Sequence, residues 1–190
     1  SFNGNKIIST GAGGMILTNN KDLAKRAKHI TTTAKIDSIN YFHDEVGYNY
    51  RLVNVLAAIG VAQMENIENI LKRKKEIDKI YRNELSGIDD IKFQTNDLNS
   101  DPNCWLFTFR TKKMKGLLKH LNNHKIQSRP FWTPMNNLPM YKKLKYINKS
   151  DISNKIFKEC ISIPSSSNLT IDDQYKVISE IKKFYKNDTS

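Results

Sequence analysis

From Leu52 to Met64 the chain is apolar on nearly every side, and from Ile67 through Ile70, Leu71, Ile77, Ile80 and Tyr81 the apolar positions narrow to one stripe at helical spacing. This pattern predicts one long helix over about 53–85, straight or kinked, with its N-terminal half buried against a core or another subunit. Ser86-Gly87 then stops the helix and sets the domain boundary, dividing the chain into 1–86 and 87–190. Upstream, Met15-Ile16-Leu17 after a glycine turn reads as a short strand. Asn19-Asn20 reads as a turn and helix cap, and Leu23, Ala24, Ala27 and Ile30 predict a helix over 21–30. Residues 31–47 show no period and read as a loop. Downstream the pattern alternates. Ile91–Phe93, Trp105–Phe109, Ile126–Arg129 and Ile161–Ile163 read as strands, and Met114, Leu117, Leu118 and Leu121 mark a helix, with another near 150–158. Thr170 with Asp173 caps a last helix that is expected to bury Ile171, Tyr175, Ile178, Ile181 and Tyr185. The second part is therefore predicted to be a small α+β domain, followed by a disordered tail over 186–190.

Composition removes several function classes. The chain has 190 residues, of which 38% are hydrophobic and 26% charged, enough for an ordinary core. No run approaches the roughly 18 apolar residues of a membrane span, and no leader-like start is visible, so a cytoplasmic protein is expected. The net charge of +12 would suit nucleic acid. Its arrangement argues otherwise, because the lysines are dispersed, and the densest run, Lys72-Arg73-Lys74-Lys75, lies among Glu65, Glu68, Glu76 and Asp78 on one helix and reads as a solvated face. Cys104 and Cys160 stand far apart beside apolar stretches, which suits burial rather than metal or redox work. His120 and His124 share a helix face, but lysines flank them and no acidic third ligand is near in sequence, so no metal is expected.

Three segments can carry chemistry. Ser1-Phe2-Asn3-Gly4-Asn5-Lys6, leading into Gly11-Ala12-Gly13-Gly14, puts Lys6 on a tight turn among small residues, where its amine can attack a carbonyl once unprotonated. Gly47-Tyr48-Asn49-Tyr50-Arg51-Leu52 brings the donors of Asn49 and Arg51 just ahead of the long helix, whose first amides favour anions. Gln127-Ser128-Arg129-Pro130-Phe131-Trp132 holds Arg129 beside a rigid proline and two aromatics, suited to a phosphate and a flat base or sugar.

Together these segments resemble the DegT-type nucleotide-sugar aminotransferases, a branch of the fold type I pyridoxal phosphate (PLP) enzymes, over residues 1 to about 185. The resemblance implies an α/β fold, namely the C-terminal part of a fold type I PLP-dependent transferase: the end of the large domain plus the small α+β domain. It implies that Lys6 forms the Schiff base with PLP and moves the proton between substrate and cofactor. Asn49 would donate to the PLP phosphate of the neighbouring subunit and Arg51 would contact phosphate or substrate. Arg129 and Trp132 would approach the nucleotide-sugar. The implied assembly is a homodimer with shared active sites. The implied reaction moves an amino group from glutamate to the 4-keto carbon of a nucleotide-linked 6-deoxy-hexose for surface glycan or glycoprotein sugars. A 3-keto-sugar aminotransferase is the rival within the class; an inactive fragment of the fold serving as a basic binding or assembly module is the rival outside it. The family's aspartate on the pyridine nitrogen and its ring-stacking residue precede the lysine and have no counterpart in these residues. Weak PLP binding and no turnover are therefore expected of this polypeptide alone.

Overall fold

The helical stretch expected over 53–85 is broken at Asn66 in the computed structural model, which describes residues 1–187. Asn66 has φ −102° and ψ 9°, and its side-chain oxygen accepts a hydrogen bond from Asn69 Nδ2 at 2.7 Å. Asparagine is among the weaker helix formers, which suits a break at this position. The result is α2 (Asn54–Glu65) and α3 (Ile67–Leu85). Two compact units result, Ser1–Asn69 and Ile70–Ser190, so the division falls inside the helical stretch rather than at Ser86-Gly87. The reason lies in α3, whose buried Lys74, Ile77, Tyr81 and Leu85 belong to the packing of the residues that follow.

The first unit contains α1 (Lys21–Thr31), the strands β1 (Lys35–Asp37) and β2 (Phe42–His43), and α2. Asn20 caps α1, its side chain accepting from the amides of Asp22 at 2.9 Å and Leu23 at 3.1 Å. Residues 31–47, expected to be a loop, form the small antiparallel β1–β2 hairpin. The strand expected at Met15-Ile16-Leu17 is irregular, and Leu17 is 84% exposed. Its β-compatible sequence meets no neighbouring strand among the described residues, and a lone strand has nowhere to place its backbone hydrogen bonds. No residue of α2 is buried, and Val55, Ile59, Val61 and Met64 are exposed, so nothing among the described residues covers its apolar side chains. Only Thr10 and Ala34 are buried among residues 1–69.

The second unit has a core of its own. It adds to α3 the strands β3 (Lys92–Phe93), β4 (Phe107–Arg110), β5 (Arg129–Pro130) and β6 (Cys160–Ile163). Its further helices are α4 (Met114–Asn123), α5 (Ile152–Glu159) and α6 (Ile171–Asn187). The sheet is antiparallel in the order β3-β4-β6-β5. Period-two alternation puts Phe107, Phe109, Ile161 and Ile163 on one face, where they join Ile77, Tyr81, Leu85, Leu117, Leu121, Ile178 and Ile181. On the other face Thr108 and Ser162 share a hydroxyl hydrogen bond of 2.8 Å. Thr170 caps α6 as expected, accepting from the Asp173 amide at 3.1 Å while its hydroxyl donates to the Asp173 carboxylate at 2.8 Å. The buried stripe of α6 is rotated from the predicted one. Ile171 and Tyr175 are exposed, and Gln174 and Val177 are buried in their place. Gln174 is accepted there because its amide donates to the Ile77 carbonyl at 2.9 Å. The tail expected to be disordered over 186–190 begins within α6 at Lys186 and Asn187, and the remainder lies outside the described residues.

Candidate active site

Lys6 ends a β-turn, its amide donating to the Asn3 carbonyl at 3.0 Å across Gly4 and Asn5, and its side chain is half-buried. The loop carrying it is closed at its base. Phe2 donates to the Gly13 carbonyl at 2.9 Å, Thr10 donates to the Phe2 carbonyl at 3.0 Å, and Asn3 bridges to Gly11 in parallel. Gly11 and Gly13 have φ of +81° and +86°, which L side chains rarely adopt, and a Cβ on Gly13 would stand 2.7 Å from Leu52 Cδ1. A Cβ added at Gly4 or at Gly11 would meet nothing within 4 Å, so there is open space on this loop.

The same loop packs on α2. Ser9 donates its amide to Gln63 Oε1 at 3.4 Å, and at Gly60 a Cβ would come within 3.1 Å of Thr10 Cγ2. Thus Leu52, from the second sequence segment, and Gly60 and Gln63 of α2 support the loop that bears Lys6. The segment from Gly47 to Arg51 is itself fastened to the end of α1. Tyr48 donates to the Ile30 carbonyl at 2.7 Å, Thr33 donates to the Tyr48 carbonyl at 3.0 Å, and Tyr50 donates to the Thr31 carbonyl at 3.0 Å. Gly47 is required by contact, because a Cβ there would lie 2.3 Å from the Thr33 carbonyl carbon and 2.4 Å from the Ala34 nitrogen. Thr33 and Ala34 already carry positive φ of 67° and 50°, so this backbone has little room to yield. Tyr48 and Tyr50 stack with ring centroids 5.1 Å apart. Asn49 and Arg51 are exposed, and the N-cap of α2, Val53, supplies no side-chain hydrogen bond to the first turn.

Arg129 and Trp132 lie in the second unit. β5 is an edge strand, so Pro130 interrupts no ladder, and Arg129 pairs in register with Ser162 and is exposed. Trp132 stacks on Trp105 at 5.8 Å and 26° and takes Phe131 edge-on at 5.0 Å. Trp105 is a member of this cluster that sequence reasoning assigned only to a strand; no local spacing links positions 105 and 132. Of the predicted residues, Lys6, Asn49 and Arg51 thus share the first unit, and Arg129 and Trp132 share the second.

Lys74, expected on a solvated face, is buried, and its ammonium donates to the carbonyls of Trp105, at 2.7 Å, and Ser165. Burial lowers its pKa. Near His120 and His124, where the sequence offered no acid, the fold places Glu180 of α6. Cys104 and Cys160 are free and half-buried, with their thiol pKa values raised by burial.

The sequence profile of the DegT/DnrJ/EryC1/StrS aminotransferase family matches residues 1–182. The chain belongs to this family. Among DegT relatives it is 36% identical to GDP-perosamine synthase of Vibrio cholerae over 192 residues, covering 98% of this chain and 52% of the relative. It is 33% identical to GDP-perosamine synthase of Escherichia coli O157:H7 over 190 residues, covering 98% and 51%. The fold matches that of PseC, the Helicobacter pylori aminotransferase of pseudaminic acid biosynthesis, with a TM-score of 0.89 and 20% identity over 98% of this chain and 52% of that one. The chain spans about half the length of the curated relatives it matches. Its fold is accordingly a partial α/β transferase fold of the kind seen in those DegT enzymes.

Proposed function

We propose that this chain is the portion of a PLP-dependent nucleotide-sugar aminotransferase that carries the cofactor lysine, corresponding to the C-terminal half of the enzyme. The complete enzyme moves an amino group from glutamate to the 4-keto carbon of a nucleotide-linked 6-deoxy-hexose. The observation that carries the reading is the placement of Lys6, half-buried at the end of the Asn3–Lys6 turn, in a loop with open space at Gly4 and Gly11 and a support at Gly60. An amine on a short, hydrogen-bonded turn is held in one place, which is what covalent capture and repeated proton delivery to a single carbon require. The residues present fit PLP in this respect, and bound PLP supplies the electron-withdrawing ring that stabilises negative charge at the amino-bearing carbon. Lys6 holds the cofactor and passes the proton. Asn49 and Arg51, exposed ahead of an uncapped helix start, bind phosphate, with Asn49 serving the site of a second subunit. The exposed apolar residues of α2 support burial in such a dimer. Arg129 meets a phosphate of the nucleotide-sugar, and the Trp105–Trp132 pair offers its flat face to the base or sugar.

Incubation with PLP, reduction with borohydride and peptide mapping test this. Labelling should be weak, with Lys6 modified ahead of the exposed lysines and the adduct lost in Lys6→Ala. Adducts spread over surface lysines and unchanged in Lys6→Ala would overturn the assignment.

A further inference from the structure

The geometry points to a zinc site on the second unit, formed by His120 of α4, His124 at its C-cap and Glu180 of α6, independent of the PLP chemistry. The three donor atoms lie within 4.8 Å of one another. Glu180 Oε2 is 3.4 Å from His120 Nε2 and 3.7 Å from His124 Nε2. Two ligands at about 2.0–2.2 Å from a tetrahedral zinc ion stand about 3.3–3.6 Å apart, so the His120–Glu180 pair already has ligand spacing and the His124–Glu180 pair needs only a small closure. This spacing does not match hydrogen bonding, because His120 Nε2 is buried and has no hydrogen-bond partner. A buried ring nitrogen left unsatisfied is destabilising. A cation at the point shared by the three donors removes that cost.

The supporting contacts set the right donor atoms. His124 Nδ1 lies 2.8 Å from the His120 carbonyl. A carbonyl can only accept, so Nδ1 carries the hydrogen and Nε2 of the neutral ring keeps its lone pair for a metal. The two imidazole rings are 4.3 Å apart by centroid, and Phe184 closes one side of His120 at 5.5 Å. Glu180 is 9% exposed and its other oxygen, Oε1, accepts from Lys183 Nζ at 2.6 Å. That bond leaves Oε2 as the oxygen that faces the two imidazoles. Two nitrogens and one carboxylate oxygen select zinc or a similar transition metal over magnesium or calcium. The half-exposed ring of His124 leaves the fourth position to water. By joining α4 to α6, the ion would brace one side of the second unit. A second cluster of this kind among the described residues, His29 with Asp44 and Glu45, lacks the same case because the Arg26 guanidinium already occupies both oxygens of the Glu45 carboxylate.

Titrating zinc into the purified 190-residue chain against a chromophoric chelator tests the site. Binding of one equivalent is expected, with a rise in melting temperature that magnesium does not reproduce. His124→Ala, at a half-exposed position compatible with folding, should weaken zinc binding by about 100-fold or more, because loss of a ligand exceeds the 10–100-fold effect of losing its supporting contact. Glu180→Gln should weaken it as well. Failure to bind one equivalent, or affinity unchanged in both variants, would overturn the assignment. Binding abolished by alkylating the thiols with both histidines intact would overturn it too, since zinc would then sit on cysteine.

Discussion

Tyr81 is fully buried, packs its ring on Phe107 with centroids 4.8 Å apart and donates its hydroxyl to the Pro164 carbonyl at 2.8 Å. Burial raises its pKa far above the ordinary value of 10.0, so the folded protein keeps the phenol neutral where the unfolded chain ionises it. Above that ordinary value the native state binds the extra proton, and stability falls by about 1.4 kcal/mol per pH unit on account of this group. Tyr81→Phe should cost about 1 kcal/mol near neutrality through the lost hydrogen bond, and should remove that alkaline loss, so the two stability curves converge and cross as pH rises. Urea midpoints between pH 7 and 11 measure it; parallel curves would show that Tyr81 does not control the alkaline limb. Lys74 acts in the opposite sense over a neighbouring window. Its lowered pKa means that the unfolded chain binds more protons just below 10.5, so its contribution improves as pH rises towards that value. Residue type alone could not reveal either environment, because the carbonyls of Trp105, Pro164 and Ser165 reach these side chains from more than 30 positions away in sequence.

At the scale of elements, hydrophobic spacing was a good guide to most elements that pack on neighbours within the second unit. The strands β4 and β6, helix α4 and the Thr170 cap of α6 were all readable, because burial on one face writes a period into the sequence. It failed where burial is not the cause of the pattern. The Met15-Ile16-Leu17 strand lacks a ladder partner among the described residues. It failed also at Gln174, where a hydrogen bond lets a polar residue occupy a core position. The connection between α1 and α2 depends on one glycine. Gly47→Ala would drive a Cβ into the Thr33–Ala34 backbone, which cannot move aside as a side chain could. The expected cost is about 2–4 kcal/mol locally, read as faster proteolytic cleavage between residues 30 and 50 and weaker Lys6 labelling. Unchanged cleavage would mean that this loop relaxes freely.

At the scale of the molecule, the two units differ in what they can bury. Ile70–Ser190 holds the core cluster, whereas residues 1–69 bury only Thr10 and Ala34 while exposing Leu17, Val46, Tyr50 and Val55. Limited proteolysis of the 190-residue chain should therefore cut first within residues 1–69 and leave a resistant fragment starting near Ile70. Equal resistance of both parts would contradict this ranking. The sequence by itself determined the family, the turn that presents Lys6, the Gly47–Arg51 segment and the alternation of the second unit, because these rest on local glycine geometry and on periodic burial. Only the tertiary structure decided which charges are buried, that Trp105 lies against Trp132, and that Glu180 closes on His120 and His124. Each of those depends on residues distant in the chain meeting in space, and contact across such distances leaves no period or spacing in a single sequence.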